Sequence, residues 1–577
     1  MAGLSFEQRD WARAADFWRR STGVAVRRAQ RGTDDVGGTL TGRRKGEPEQ
    51  LSYRFRSLVK AGYHLALDWP KSEAGLLREM FQTAQWVQGS EAAASLAQMA
   101  ARGAKGDAGL SVLVRDRQDL VAEWQKRDSA RSAAVSQGTD SRDHTADAAN
   151  VARLAAIDSR IAEIDKRLAR EFPDYAELSR PKPLSVEEVQ SQLRPDEAFV
   201  FLLDTPKWVP TPEETFIWVI TKADVRWVRS DLGTPALTRE VTALRCGLDA
   251  AAWEDKGAEK CAGLLKIAPD KAPKGNAPLP FDFARAHLLY AALFGQVEDL
   301  IRDKHLLIVP SGPLTQLPFQ VLVTASTASG DYRSAAWLAR KHAITVLPAG
   351  SSLNALRRVA KPSAAKNPMI GFGNPLLDGD PGARPWEAEW AKLARQKQAC
   401  PQTPWQRVAG LFERRRGVVP MTTRSGRPDL DHLRAQSPLH DTADELCAVA
   451  KDLKLGTDDI VLGAKATEAT IKRLSGEGKL AGYRVLHFAT HGTLSGEISG
   501  TSEPGLILTP PAKATEEDDG YLSASEIAGL KLDADWVILS ACNTAGGSGG
   551  DAGAEALSGL ARAFFYAQAR ALLVAHW

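Results

Sequence analysis

Short apolar runs alternate with amphipathic helical patterns from residue 186 to the end of the chain. The runs typical of β-strands lie at 198–203, 216–221, 225–228, 305–309, 343–347, 369–372 and 459–462. Helical patterns lie between several of them, as at 441–453, and Thr467 fits the N-cap of a helix that reaches Leu474. This order predicts an α/β domain with a mostly parallel sheet and helices on its faces.

The first 185 residues have a different, helical character. Five apolar residues separated by gaps of 3, 4, 3 and 4 form the clearest period in the chain: Leu154, Ile157, Ile161, Ile164 and Leu168. This spacing is typical of a coiled-coil seam, and the polar break before it favours an antiparallel helical hairpin over 109–185. Residues 1–108 are also predicted to be helical. The pattern around Trp11 and Phe17 resembles one helix of a degenerate tetratricopeptide repeat, although no 34-residue period can be followed.

Two segments of the α/β region are rich in charge. Residues 376–436 hold several prolines and the basic run 414–416, and we expect an exposed insertion. It is first interpreted as a solvated loop, with a site of limited proteolysis or a phosphate or nucleic-acid contact as alternatives. The chain has 74 basic against 71 acidic residues and no fold-specific binding motif, so nucleic acid is not an expected partner. The acidic run 516–519 is also expected to be a solvated loop.

Two segments near the end of the chain carry residue types suited to chemistry. In 483–492 and in 536–547, an apolar strand leads to a reactive residue, and small or glycine-rich residues follow. Parallel strands release such residues at the carboxyl edge of the sheet. The two residues are His491 and Cys542, and a thiol becomes a strong nucleophile when an imidazole helps to form the thiolate. We expect a His–Cys dyad, with the backbone N–H groups of Gly492 and Cys542 as an oxyanion hole.

Several motifs around these residues resemble those of the CHAT domain, a caspase-like family often fused to tetratricopeptide repeats. The matching segments are 308–314, 317–319, 487–492, 505–508, 520–523, 540–544 and 559–564. The resemblance covers about residues 190–577, and the 51 residues between His491 and Cys542 are close to the caspase spacing of about 50. It implies a caspase-like domain over 186–577 and a cysteine endopeptidase that cleaves a protein substrate. His491 would be its catalytic base and Cys542 its nucleophile.

The sequence around the dyad limits what the resemblance implies. Residues 540–544 read Ser-Ala-Cys-Asn-Thr rather than the caspase Gln-Ala-Cys-x-Gly, so a preference for Asp is not transferred. Acidic pocket residues in related enzymes favour basic P1 side chains, which makes Asp551 a candidate for substrate binding. His487 falls on the same strand face as His491, and we expect it to have a structural or supporting role. No third ligand lies near this pair, so no metal and no cofactor is expected.

The remaining cysteines bear on the compartment. Five cysteines in 577 residues are too few for a disulfide framework. Cys246, Cys261, Cys400 and Cys447 lack the context of Cys542, and we expect packing or surface thiols. The N-terminus lacks the apolar core of a secretory signal, and no run of about eighteen apolar residues occurs. Free cysteines without an export signal predict a cytoplasmic protein that does not contact a membrane.

Two functions remain open from the sequence. In the first, the chain is an active cysteine peptidase, a hydrolase, whose helical region binds a regulatory protein partner or restrains the protease. In the alternative, the caspase-like domain is an inactive scaffold and the helical hairpin is the interaction surface. The apolar run 571–577 is predicted to be a core strand. Because family members continue beyond this strand, we expect the chain to lack a C-terminal piece.

Overall fold

The computed structural model describes most of the chain in segments. These are residues 1–31, 51–87, 144–171, 183–253, 255–268, 271–273, 277–326, 331–354, 362–382, 384–401, 430–493, 504–515, 518–540 and 567–574, with single positions or short groups within 113–127, at 357 and within 423–428 and 560–565.

Helices and short strands follow one another along these segments. The helices are α1 (Ala2–Glu7), α2 (Trp11–Arg31), α3 (Ser52–Asp68), α4 (Glu73–Gln85), α5 (His144–Glu171), α6 (Val186–Gln192), α7 (Thr234–Cys246), α8 (Asp255–Leu265), α9 (Phe283–Phe294), α10 (Glu298–Ile301), α11 (Leu338–Lys341), α12 (Ser352–Asn354), α13 (Glu387–Gln396), α14 (Leu430–Arg434), α15 (Asp441–Asp452), α16 (Glu468–Gly476) and α17 (Ala524–Ala528). The strands are β1 (Glu197–Thr205), β2 (Glu214–Thr221), β3 (Val225–Ser230), β4 (His305–Val309), β5 (Ile344–Val346), β6 (Asn367–Gly373), β7 (Thr423–Arg424), β8 (Arg427–Pro428), β9 (Ile460–Leu462), β10 (Tyr483–Ala489), β11 (His491–Thr493), β12 (Gly505–Ile507), β13 (Tyr521–Ser523), β14 (Ala534–Leu539) and β15 (Ala569–Val574).

The first of two compact units comprises residues 1–233, 299–310 and 345–361. Its sheet has the strand order β3-β2-β1-β4-β5. β1 and β2 are buried along their whole length, which explains their continuous apolar runs. β1 and β4 run parallel, whereas β1–β2 and β2–β3 are antiparallel. This sheet is therefore mixed. β2 and β3 are antiparallel because the link between them is long enough for a hairpin but too short for the crossover that parallel strands need.

The N-terminal helices form one layer on this sheet. α1 to α4 and α6 share a single apolar core with β1, β2 and β4. Phe81 of α4 lies edge-on to Phe199 and Phe201 of β1, with ring centroids 6.2 and 5.6 Å apart. The helices are thus stabilised by burial against the sheet.

Helix α5 pairs with described helical residues of 113–127. Glu123 accepts a hydrogen bond from Arg153 at 2.5 Å, and Asn150 donates to the carbonyl of Arg127 at 2.9 Å. Arg127 contacts Asn150 and the earlier Glu123 contacts the later Arg153, so the two segments run antiparallel, as the predicted hairpin requires. Four of the five seam residues are buried: Leu154, Ile157, Ile161 and Ile164. The side chain of the fifth, Leu168, lies outside the described residues, and the coiled coil stays a prediction.

The second unit comprises residues 234–298, 311–344 and 362–577 and contains a five-stranded parallel sheet. The strand order is β15-β14-β10-β6-β9, and each neighbouring pair is parallel. Alternation along β10 sends Leu486 and Phe488 to a core shared with α16 and α17. It sends Val485 and Ala489 to the opposite face, which α15 covers. His487 therefore lies on the α15 face.

The chain leaves this parallel sheet at the end of β10. A single residue, Thr490, separates β10 from β11, and β11 begins a three-stranded antiparallel sheet of order β11-β12-β13. His491 pairs with Ile507 across β11 and β12. The first residue of β11 is thus placed at the carboxyl edge of the parallel sheet.

The described flanks of 376–436 correct the prediction of an exposed insertion. Leu377, Ala394 of α13 and Leu433 of α14 are fully buried in the second unit. The expectation is therefore too broad, because these flanks contribute to the core. Residues 402–422, with Arg407 and the basic run 414–416, lie outside the described residues.

The predicted division into domains at 1–108, 109–185 and 186–577 differs from the bounds of the two compact units and stays a prediction.

Candidate active site

The two segments predicted to carry chemistry lie on neighbouring parallel strands. His487 is opposite Ile538 and Phe488 is opposite Leu539 in the β10–β14 register. The backbone N–H of Ser540 continues this ladder by donating to the carbonyl of Phe488 at 2.9 Å. Paired positions in this register differ by 51 residues, which is also the separation of His491 from Cys542. Both segments therefore leave the sheet at the same edge.

His491 is fully buried at this edge, and its ring has a defined hydrogen bond. Its Nε2 lies 2.8 Å from the backbone carbonyl oxygen of Ser437. A carbonyl only accepts hydrogen bonds, so Nε2 carries a proton. The neutral ring then has its lone pair on Nδ1, which is the nitrogen able to take a proton from a thiol. This arrangement is the one that a general base requires.

Polar side chains hold the Ser437 backbone in place. Arg384 donates to the Ser437 hydroxyl at 2.8 Å and forms an ion pair with buried Glu387 at 3.0 Å. The hydroxyl in turn donates to the carboxylate of Glu387. Sequence reasoning missed these three residues, since Arg384 and Glu387 lie within the segment interpreted as an exposed insertion and Ser437 directly follows it. No local signal marks them, because their role depends on a contact with a strand end more than fifty residues away.

A second polar cluster lies beside the end of β14. The Ser540 hydroxyl donates to Glu445 Oε1 of α15 at 2.6 Å. His487 Nε2 lies 2.9 Å from the same hydroxyl and 3.2 Å from Glu445 Oε1. His487 is buried, as expected for a supporting role, whereas the sequence did not single out Glu445.

The structure describes Gly492 but not Cys542 or Asp551, the two remaining predicted site residues. Gly492 lies in β11 opposite Leu506. The dyad, the oxyanion hole and the substrate-binding role of Asp551 therefore stay predictions.

A buried carboxylate organises the loop before β13. Glu468 of α16 accepts hydrogen bonds from the backbone N–H groups of Asp519 and Gly520 at 2.8 and 3.1 Å. Burial raises the pKa of Glu468 to about 8, and the Lys472 ammonium opposes this rise. The expectation of a solvated loop is therefore wrong for Asp519, which is partly buried and whose backbone bonds to the helix.

Four of the five cysteines are paired. Cys246 is bonded to Cys261 and Cys400 to Cys447, with Cα–Cα distances of 5.6 and 5.5 Å. The expectation of free packing or surface thiols is wrong for these residues, because the fold brings each pair within bridging distance. Cys542 is the fifth cysteine of the chain.

Within the described residues, no group of three or more His, Cys, Asp or Glu side chains is arranged to hold a metal ion. No helix in the same part of the chain is long and apolar enough to cross a membrane.

The CHAT domain model matches residues 284–577, which is just over half of the 577-residue chain. The chain therefore belongs to the CHAT domain family, as the motifs predicted. CHAT domains form a cysteine peptidase-like family, here with parallel-rich sheets flanked by helices and an additional N-terminal helical region. No curated protein matches the chain.

Proposed function

We propose that this chain is a cysteine endopeptidase of the caspase-like type, with His491 as base and Cys542 as nucleophile. The observation that carries the proposal is the Nε2 contact of His491 with the Ser437 carbonyl at 2.8 Å, beside the strand that leads to Cys542. It orients the imidazole as a carboxylate or carbonyl does in other dyads and triads. The parallel sheet and its covering helices are compatible with a caspase-like fold.

The reaction would proceed in two halves. The Cys542 thiol proton moves to Nδ1 of His491, and the thiolate sulfur attacks the peptide carbonyl carbon. The N–H groups of Gly492 and Cys542 stabilise the oxyanion. The C–N bond then breaks as His491 returns the proton to the leaving amine, which leaves a thioester. Water gives a proton to His491 and attacks this thioester, and the proton returns to sulfur as the acid product leaves. Asp551 would favour a basic P1 side chain.

The helical hairpin predicted over 109–185 would bind a regulatory protein. α1 to α4 are committed to the first core, whereas most of the described side chains of α5 between its buried seam positions are exposed. Because the seam is already buried within the chain, a partner would contact the exposed faces of the hairpin. In the alternative function, this surface is the working part and the CHAT domain is an inactive scaffold.

The disulfides also bear on the compartment in which the protein resides. The expectation of a cytoplasmic protein rested on free cysteines, and the two disulfides remove that premise. Structural disulfides persist in oxidising compartments. A thiol count on protein taken directly from its cells decides the point: one free thiol favours an oxidising compartment, and five favour the cytoplasm.

Cleavage profiling tests the peptidase proposal. Wild-type chain and the variants Cys542→Ala and His491→Ala are incubated with a peptide library derived from a proteome, and new termini are mapped by mass spectrometry. We expect both variants to lose cleavage, while His305→Ala, which alters a histidine of the first unit bonded to Thr345 at 2.9 Å, retains it. Cleavage retained by both site variants rejects the dyad. A wild-type chain that cleaves nothing, and whose Cys542 reacts weakly with a thiol probe, favours the alternative function as an inactive scaffold.

A further inference from the structure

Three polar side chains from three elements meet where β14 ends. Glu445 comes from α15, His487 from β10, and Ser540 follows β14. The contacts are 2.6 Å between Ser540 Oγ and Glu445 Oε1, and 2.9 Å between Ser540 Oγ and His487 Nε2. Together they form one connected cluster, which we call the clasp.

Hydrogen-bond chemistry sets the direction of each contact in the clasp. A carboxylate only accepts, so the single hydroxyl proton of Ser540 goes to Glu445. The Ser540 oxygen is then an acceptor, and His487 donates to it from Nε2. The same N–H also lies 3.2 Å from Glu445 Oε1. Charge-assisted bonds of this kind are stronger than neutral ones, so the clasp holds Ser540 firmly.

Ser540 is attached to the sheet through its backbone as well. Its N–H donates to the carbonyl of Phe488 at 2.9 Å, which leaves the hydroxyl to define the direction in which the chain leaves β14. Cys542 follows two residues later. Two residues span at most about 7 Å, so the position of Ser540 limits where the Cys542 sulfur can lie.

Glu445 is held on a rigid element. Cys447, two residues further along α15, is bonded to Cys400. Leu446 is fully buried against the sheet. α15 therefore keeps the carboxylate at a constant distance from the end of β14.

We propose that Glu445 and His487 act through Ser540 as positioning residues for the Cys542 nucleophile, a role that rests on the proposed function. They are not the base, which is His491. Their effect is on geometry, and a misplacement of the reacting atoms by about 1 Å costs about 100-fold in rate.

A series of single variants in the full chain tests this proposal. Glu445→Ala and Ser540→Ala break the clasp, whereas Glu445→Gln retains a carbonyl oxygen that accepts from Ser540. Asp444→Ala is the matched control, because it removes a carboxylate and its ion pair with Lys397 at 2.6 Å from the adjacent position of the same helix. We expect kcat to fall by about 10- to 100-fold in the two clasp-breaking variants with KM unchanged. Glu445→Gln and Asp444→Ala stay within about 3-fold of wild type.

A readout that does not need peptide cleavage separates this proposal from the function on which it rests. The rate of alkylation of Cys542 by iodoacetamide is measured against pH, with the modified peptide identified by mass spectrometry. We expect the midpoint to move up toward the ordinary thiol pKa of about 8.5 in Glu445→Ala, but not in Asp444→Ala. The double variant Glu445→Ala/Ser540→Ala is expected to be no worse than either single one, because both break the same connection.

The outcomes are distinguishable. Cleavage retained by Cys542→Ala rejects Cys542 as the nucleophile of the proposed peptidase, and the alkylation profile then decides on the clasp alone. An alkylation midpoint that is the same in Glu445→Ala and wild type overturns the clasp, whatever the cleavage result. Equal losses of kcat in Glu445→Ala and Asp444→Ala, with equal losses of thermal stability, also overturn it, since they indicate a structural role.

Discussion

A buried charge network joins the N-terminal helices to the first sheet and allows a quantitative prediction. Lys60 of α3 and Glu214 of β2 have fully buried side chains and form an ion pair at 2.9 Å. The Lys60 ammonium also donates to Thr205 Oγ1 at 3.1 Å and to the carbonyls of Pro206 and Pro212 at 3.2 and 2.7 Å. Every proton of the ammonium therefore has an acceptor.

We predict that Lys60→Met destabilises the first unit by about 3 kcal/mol. Removing one partner of a buried ion pair costs about 3–5 kcal/mol, because the other charge stays buried. Glu214 keeps a second cation, Arg229, at 2.7 Å, which places the cost at the lower end of this range. The acceptors left behind at the two proline carbonyls prevent the methionine from recovering the loss by apolar burial.

Urea unfolding followed by tryptophan fluorescence measures this loss. Trp208 lies 5.7 Å from the Lys60 ammonium, and Trp218 is fully buried in the same unit, so the signal reports on its unfolding. The control is Arg78→Met, which breaks the exposed ion pair with Glu187 at 2.7 Å and should cost less than about 1 kcal/mol. A Lys60→Met loss within about 1 kcal/mol of that control would show that the buried ion pair does not stabilise the unit as predicted.

Two further predictions concern acid and the two disulfides. The pKa of Glu214 is about 2, because hydrogen bonds and charges from its cationic neighbours outweigh the rise caused by burial. The difference from the ordinary pKa of 4.5 corresponds to about 3 kcal/mol of stabilisation, which is present above pH 4.5 and lost as pH falls toward 2. A Tm that falls as much in Glu214→Gln as in wild type over this range contradicts the low pKa of Glu214. The disulfides close chain separations of 47 residues at Cys400–Cys447 and 15 at Cys246–Cys261. Replacing both cysteines of a pair by serine is expected to cost about 4 and about 3 kcal/mol respectively, and denaturant midpoints equal to wild type contradict the pairing.

Local patterns in the sequence predicted the parallel sheet and the placement of His491. The apolar runs at 369–372 and 459–462 became β6 and β9, and the N-cap of Thr467 is confirmed by its contact with the Thr470 N–H at 3.1 Å. Such signals are local, because strand alternation and capping depend on neighbours along the chain. The end of the strand before His491 could also be predicted locally, because the apolar run and the glycine that follow one another in 483–492 mark it.

The contacts that complete the candidate site could not be predicted in this way. Ser437 and Glu445 meet His491 and Ser540 only after α14, α15 and the sheet have packed, and nothing in their own surroundings marks them. The two disulfides have the same origin, since Cα atoms 47 residues apart in sequence come within 5.5 Å through the tertiary fold. A periodic pattern predicts the element on which a residue lies, whereas its partner depends on the packing of several elements.

The most direct test of the central claim is a covalent trap of the nucleophile. A peptidyl acyloxymethyl ketone with a basic P1 residue is added to native chain, and the adduct is mapped by mass spectrometry. We predict one adduct, on Cys542, in the wild type and at least a 100-fold slower reaction in His491→Ala. Equal labelling of Cys542 in wild type and His491→Ala, or labelling at another residue, would contradict it.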